Sequence, residues 1–207
     1  MVDGRENLLT GDDGHVTLIH GVLAAEECRT MTERLIATIP WRHHEIRLFG
    51  RRMRVPRLSS WHGEAPYSYS GLMLLPESWT PDLYFVKSRI ERITGHLFNS
   101  VLLNLYRDGR DSMGWHSDDE PELGRNPVIA SVSLGAIRRL RMRSRHDKTR
   151  AFSAELPNGS LLLMAGPTQH NWQHMISKTT RATGARVNLT FRWTHLPESV
   201  SLPPKQR

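Results

Sequence analysis

From residue 98 onward the sequence is a succession of short β-branched or alternating runs, "FNSVLLNLY", "VIASVSL", "RLRMR", "SLLLMAG" and "RVNLTFRW", separated by Gly, Pro, Asn and Asp turns. Side chains alternate sides along a strand, so such runs become stable only when sheets bury their apolar faces against another layer. The pattern predicts an α+β, mainly β chain built on a sandwich or jelly roll. Two stretches upstream have helical spacing instead. "AAEECRTMTERLIATI" places Cys28, Met31, Leu35 and Ile36 on one stripe and predicts a helix over 24–38. "PDLYFVKSRIERITGHL", opened by Pro81, predicts a second helix with Leu83, Val86, Ile90 and Ile93 on its buried side. Both helices are expected on one outer face of the β core. "HVTLIHGVL" reads as a further short strand, and residues 1–14 and 198–207 read as loose termini around one domain spanning 15–197.

A chain of 207 residues with 38% hydrophobic content can bury one core. The single cysteine, Cys28, excludes an internal disulfide, and no run has the length of a membrane span or the make-up of a secretory leader. An intracellular monomer with no membrane partner is expected, in the cytoplasm or nucleoid of a bacterium or the nucleus of a eukaryote. Lys and Arg total 28 against 21 for Asp and Glu, a formal charge of +7 with a sequence pI near 10.2. That balance points to a polyanionic partner, although a basic charge kept only for solubility would look the same in total. The placement is more telling. Arg51, Arg52, Arg54 and Arg57 crowd one segment, and Arg138, Arg139, Arg141, Arg143, Arg145, Lys148 and Arg150 crowd another.

The stretch "GWHSDDE" at 114–120 carries a possible metal pair. A mononuclear iron(II) oxygenase needs two imidazoles and one carboxylate on one side of the ion, with the remaining positions open. His116 and Asp118 are two apart, and in extended backbone such residues project to the same side. Alone, an H-x-D triplet is more often a solvated turn. The third ligand would come from "PTQHNWQH", where His170 and His174 both follow the strand "SLLLMAG"; His174, next to the apparent strand start at Met175 and Ile176, is the better placed.

Two further features give the triplet weight. On a strand, "RVNLTFR" puts Arg186, Asn188, Thr190 and Arg192 on one face, and Val187, Leu189, Phe191 and the following Trp193 on the other. Two guanidiniums on one face suit a 2-oxo diacid, because each carboxylate can be gripped in bidentate geometry. Upstream, Asn104 and Tyr106 also share a face, and such groups inside a small barrel call for a polar ligand.

The order N-x-Y, H-x-D, distal His and R-x-N-x-T-x-R resembles the AlkB family of iron(II) and 2-oxoglutarate dioxygenases that repair alkylated nucleobases. "LFG", "VPR", "YSYSG", "YRDG", "DDE", "PVIASVSLGA", "GSLLLM" and "ARVNLTFR" occur in the order of the animal homologues that repair duplex DNA, over roughly residues 45–195. The resemblance implies a double-stranded β-helix with its jelly-roll core at 98–195 and a nucleotide-recognition hairpin and lid at 45–72. It implies Fe(II) held by His116, Asp118 and His174, with His170 not a ligand. It also implies 2-oxoglutarate held by Arg186 and Arg192 with Asn104, Tyr106 and Asn188; which arginine takes which carboxylate stays open. O2 would complete the reaction, in which an N-methyl carbon is hydroxylated and lost as formaldehyde, with succinate and CO2 as co-products.

Substrate contacts follow from the same resemblance. N1-methyladenine and N3-methylcytosine are cationic, so Asp119 and Glu120 beside the iron ligands would favour them over neutral bases. Tyr69 matches an aromatic that stacks on the extruded base, with Trp61, His62 and Tyr67 in the same segment. "EIRLFGRRMRVPR" reads as a hairpin turning at Gly50. Phe49 at its tip, with Arg51, Arg52, Arg54 and Arg57 around it, suits a wedge that enters the base stack of duplex DNA. Demethylation of RNA or single-stranded DNA is the alternative within the enzyme class, and a nucleic-acid-binding module without activity is the alternative outside it. Two stretches depart from the animal pattern. "IRRLRMR" carries more arginine and a shorter following loop, and "GEAPYSYSG" is shortened, which bears on the lid.

Overall fold

The computed structural model describes residues 4–48, 51–64, 67–69, 72–181 and 183–195. In chain order the strands are β1 (Arg5–Leu9), β2 (His15–Ile19), β3 (Arg42–Leu48), β4 (Arg51–Gly63), β5 (Tyr67–Tyr69), β6 (Leu72–Leu74), β7 (Ser100–Tyr106), β8 (Met113–His116), β9 (Ile129–Gly135), β10 (Arg138–Ser144), β11 (Ala151–Leu156), β12 (Ser160–Ala165), β13 (Trp172–Ile176) and β14 (Arg186–Arg192). The helices are α1 (Ala25–Thr38), α2 (Pro81–Thr94) and the single turn α3 (Thr168–Asn171).

An eight-stranded sheet runs β1-β2-β12-β9-β14-β7-β4-β3, and a four-stranded sheet runs β11-β10-β13-β8. Their facing sides meet in one apolar layer. Leu102, Ile129 and Leu162 come to it from the large sheet, and Leu140, Met142 and Ile176 from the small one. This is the jelly roll. The other side of the large sheet is closed by α1 and α2, whose Cys28, Met31, Leu35, Leu83, Val86 and Ile90 join Leu103, Val132, Leu189 and Phe191 in a second layer. Full burial of each such aliphatic or Phe side chain contributes about 1.5–3 kcal/mol. Two ion pairs dock the helices side by side: Arg34 donates to Asp82 at 2.6 and 3.0 Å, and Arg89 to Glu27 at 2.7 and 3.0 Å. No helix among the described residues is long and apolar enough to cross a membrane.

Several expectations change in detail. Residues 5–9, read as part of a loose terminus, form edge strand β1 against β2. The Ile36 side chain is 38% exposed, because the buried stripe of α1 passes through Cys28, Met31 and Leu35. α2 stops at Thr94, earlier than its apolar run suggests. Gly95 adopts φ 73°, a left-handed conformation that glycine takes at no steric cost and that ends the helix, leaving Leu97 68% exposed. β14 ends at Arg192, so Trp193 is 45% exposed and does not join the packed face. Arg138, in phase with Leu140 and Met142 along β10, is 3% exposed, unlike the other arginines of "IRRLRMR"; its guanidinium donates to the carbonyls of Asp108, Asp111 and Ser177.

Candidate active site

The alternation read in "RVNLTFR" is realised in β14. Val187, Leu189 and Phe191 pack toward the helices, while Arg186, Asn188, Thr190 and Arg192 line a cavity between the two sheets. β7 runs antiparallel beside it with Asn188 opposite Asn104 and Arg186 opposite Tyr106, so Asn104 and Tyr106 line the same cavity. From the small sheet come His116 of β8 and His174 of β13, which are register partners across the strand pair. That pairing brings their rings to 4.1 Å between centroids.

Asp118 completes the group. One ligand atom from each of His116, Asp118 and His174 lies within 4.8 Å of the others, and His116 Nε2 is 3.8 Å from Asp118 Oδ1. The i, i+2 argument from extended backbone is not what places Asp118, since β8 ends at His116. Instead the loop is pinned from α3 and β13. The Asp118 backbone N–H donates to Oε1 of Gln169 at 2.9 Å, and the Ser117 hydroxyl donates to the Trp172 carbonyl at 2.9 Å. Gln169 is fully buried, and no sequence motif announced it.

The electrostatics hold the three groups in the states a metal requires. Burial pulls the His174 ring down to about 3, with His116 adding to the effect and Asp118 opposing it. Burial lowers His116 as well, against Asp118 and the Gly114 carbonyl. Burial alone would raise the Asp118 carboxyl, but Arg192 and the two imidazoles outweigh it and hold it well below the usual carboxylate range. Two neutral imidazoles and one carboxylate result. The His116 Nδ1 lies 2.9 Å from the Gly114 carbonyl, an arrangement that fixes the proton on Nδ1 and leaves Nε2 to bind. His174 Nδ1 is buried with no hydrogen-bond partner among the described residues.

The second half of the site is cationic. Arg186 is 1% exposed; its Nη2 donates to the Ser133 hydroxyl at 2.8 Å, while Nε and Nη1 are buried without a partner among the described residues. Burial lowers its guanidinium to about 10, Tyr106 opposing and Arg138 reinforcing the shift. The centre of the Tyr106 ring is 5.2 Å from the guanidinium of Arg186 and 5.4 Å from that of Arg138. A buried cation with two orphaned donors fits a carboxylate, because an unpaired charge in such surroundings is costly. Arg192 Nη2 donates to Asp118 Oδ2 at 2.7 Å, and Arg57 Nε donates to Asn104 Oδ1 at 2.6 Å. Arg57, expected near the nucleotide, is 4% exposed and lines this cavity from β4.

Other expected residues lie elsewhere. Asp119 is exposed and ion-paired with Arg145 at 2.7 Å, and neither it nor Glu120 lines the cavity. Glu120 sits half-buried at the cap of a short 3-10 turn over Pro121–Leu123. His170 is outside the cluster, with its Nε2 3.4 Å from the Asn126 backbone N–H. Trp61 and His62 are core groups of β4, and His62 is held between the Ser60 hydroxyl and the Ser78 carbonyl. Phe49 and Gly50, and the side chain of Tyr69, lie outside the described residues.

Comparison with known proteins places this geometry in context. The sequence profile of the 2OG-Fe(II) oxygenase superfamily matches residues 15–192. The chain is 44% identical over 190 residues to rat alpha-ketoglutarate-dependent dioxygenase alkB homolog 3, covering 86% of this chain and 63% of that protein. The human alkB homolog 3 is 43% identical over 186 residues, 86% and 65% of the two chains. Human DNA oxidative demethylase ALKBH2 is 36% identical over 191 residues, 88% and 73% of the two. The chain thus spans somewhat under two thirds of the length of the alkB homolog 3 proteins. A solved structure of OsALKBH1 superposes with a TM-score of 0.64 at 16% identity, covering 89% of this chain and 99% of that one, a likeness of fold.

Proposed function

The chain belongs to the 2OG-Fe(II) oxygenase superfamily and, within it, to the AlkB homologues, and on that premise we propose that it is a nucleic-acid oxidative demethylase acting on N1-methyladenine and N3-methylcytosine in duplex DNA. The observation that carries the reading is the Arg192–Asp118 bond, which joins a two-histidine, one-carboxylate cluster to a buried pair of arginines. His116, Asp118 and His174 hold Fe(II). Arg186 and Arg192 hold the 2-oxoglutarate carboxylates, with Asn104, Tyr106 and Asn188 on the same wall. Bound there, iron and cosubstrate supply the oxidation of the methyl carbon by O2.

The chain's own residues bind, orient and keep water out. Leu102, Leu140, Leu156, Leu162, Met164 and Ile176 line the cavity around the polar groups and lower the local dielectric. Arg57 fixes the amide oxygen of Asn104, which lines the cavity. Asn188 is turned by bonds from its Nδ2 to the Ser131 hydroxyl and the Val132 carbonyl, and its Oδ1 accepts from Thr190. These groups are set before any ligand arrives.

The test is a panel of oligonucleotides bearing one N1-methyladenine or N3-methylcytosine, as duplex DNA, single-stranded DNA and RNA, incubated with Fe(II), 2-oxoglutarate and O2. Formaldehyde and succinate in equal amounts are expected, fastest on the duplex. Succinate without methyl loss on every member would sink the substrate class, and a faster single strand or RNA would sink the duplex preference.

A further inference from the structure

We propose that the outer face of the small sheet binds the phosphodiester backbone of a nucleic-acid strand, through Arg139 and Arg141 of β10 and Lys178 and Arg181 of the connection that follows β13. This gives the partner of the proposed function a second place to bind, away from the iron ligands, and it rests on a nucleic acid being that partner.

β10 alternates strictly. Leu140 and Met142 are buried toward the cavity layer, while Arg139 and Arg141 point outward and are exposed. Arg143 follows on the same outer face, where its guanidinium lies 4.1 Å from the centre of the Trp115 ring and bonds the neutral Gln173 at 3.0 and 3.2 Å. Three arginines at i, i+2 and i+4 on one face repel each other, and the neighbouring group that takes two of them is the neutral Trp115 ring, 5.8 Å from the Arg141 guanidinium and 4.1 Å from that of Arg143. An open surface groove runs beside them, lined by Arg139, Arg141, Lys178 and Arg181 with Thr179 and Glu155.

The charges in that groove are poorly balanced. Glu155 pairs with Arg139 at 3.5 Å, and both side chains are exposed. Among the described residues Arg141, Lys178 and Arg181 have no ion pair to a carboxylate. A pair of outward residues two apart on a strand is separated by about 6.6–6.8 Å along it, comparable to the step between successive phosphates of an extended strand. Guanidinium forks with neighbouring hydroxyls are the donor set that phosphate oxygens take. The groove is on the opposite side of β10 from Leu140, which lines the cavity, so it meets a backbone segment other than the nucleotide being read.

The test uses the full chain and two double variants, Arg139→Gln with Arg141→Gln, and Lys178→Gln with Arg181→Gln. All four side chains are exposed, so circular dichroism melts should match the parent. Binding of a labelled unmethylated oligonucleotide, single-stranded and duplex, is followed by anisotropy across a salt series. Each double variant is expected to lower the slope of log affinity against log salt by about 1.4–1.8, two contacts at roughly 0.7–0.9 each. An unchanged slope in both variants overturns the proposal. So does displacement of the oligonucleotide by an acidic peptide of equal charge at equal concentration, which would make the groove a generic anion surface. Demethylation is measured in parallel. Normal demethylation with unchanged slopes removes the groove and leaves the function, whereas the expected slopes without demethylation leave the groove and remove the function.

Discussion

Arg192 donates Nη2 to Asp118 Oδ2 at 2.7 Å with both side chains nearly fully buried, so the carboxylate assigned to the metal is also held by an arginine assigned to the diacid. Removing one partner of a buried pair strands the other's charge and costs about 3–5 kcal/mol. Arg192→Met should therefore lose that much stability in urea unfolding of the metal-free protein. Added Mn(II) or Co(II) should recover part of the loss, because the cation replaces the missing guanidinium beside Asp118. A variant as stable as the parent would contradict this account.

Gln169 holds the loop of the proposed metal ligand Asp118 through one backbone hydrogen bond. Gln169→Leu leaves the buried Asp118 N–H without its acceptor, at a cost of about 1–3 kcal/mol. Since the bond also orients a ligand, affinity for Co(II) by calorimetry should fall roughly 10- to 100-fold. A thermal shift with unaltered Co(II) affinity would assign Gln169 to stability alone.

Arg186 separates cosubstrate binding from metal binding. Its two orphaned donors, satisfied by a carboxylate at about 1.5–3 kcal/mol each, correspond to a loss of roughly 10²- to 10⁴-fold in 2-oxoglutarate affinity for Arg186→Gln. Co(II) affinity should be unaffected, because the contact runs through Arg192. Equal loss of both would place Arg186 in the metal site.

Acid should weaken the loop that leads to β8. Burial pushes the Asp111 carboxyl up, but the Arg107 side chain and backbone N–H outweigh it, at 2.8 and 2.9 Å, and the net shift is down from 3.8. A carboxyl lowered by folding stabilises the protein above its unfolded value, and that contribution is lost as pH falls through the folded value. Asp111→Asn should lower the urea midpoint at neutral pH, and its gap from the parent should close as pH drops below 3.8. A gap that persists in acid would mean the ionised form is not what matters.

Period-two alternation is a local signal, and what it could reach it reached. β14 and β7 divide their residues between cavity and helix layer as the sequence reads, whereas Asp118 meets the two histidines from a loop beyond the end of β8. Contacts that span the chain were not legible. Gln169 reaches Asp118 across 51 positions, and the carbonyls that Arg138 meets on the inner side of β10 lie 27–39 positions away. The acids after Asp118 show the limit of reading adjacency as shared direction. Adjacency suggested that Asp119 faces the base, but in a loop adjacent residues diverge, and Arg145 offers Asp119 a partner at the surface. Helix ends failed where one residue decides them, as Gly95 does for α2.

β14 is an interior strand, paired over its whole length with β7 on one side and over all but its last residue with β9 on the other. Slipping it by one residue would send Arg186 and Arg192 among the helices, so the register that folds the sheet is also the register that brings both arginines into the cavity. Its amide protons should exchange with solvent only through global unfolding, while those of edge strands β1 and β8 exchange through local fraying. The two halves of the site should thus differ in rigidity before any ligand binds: the arginines are carried by an interior strand, and His116 by a strand that lies at a sheet edge among the described residues.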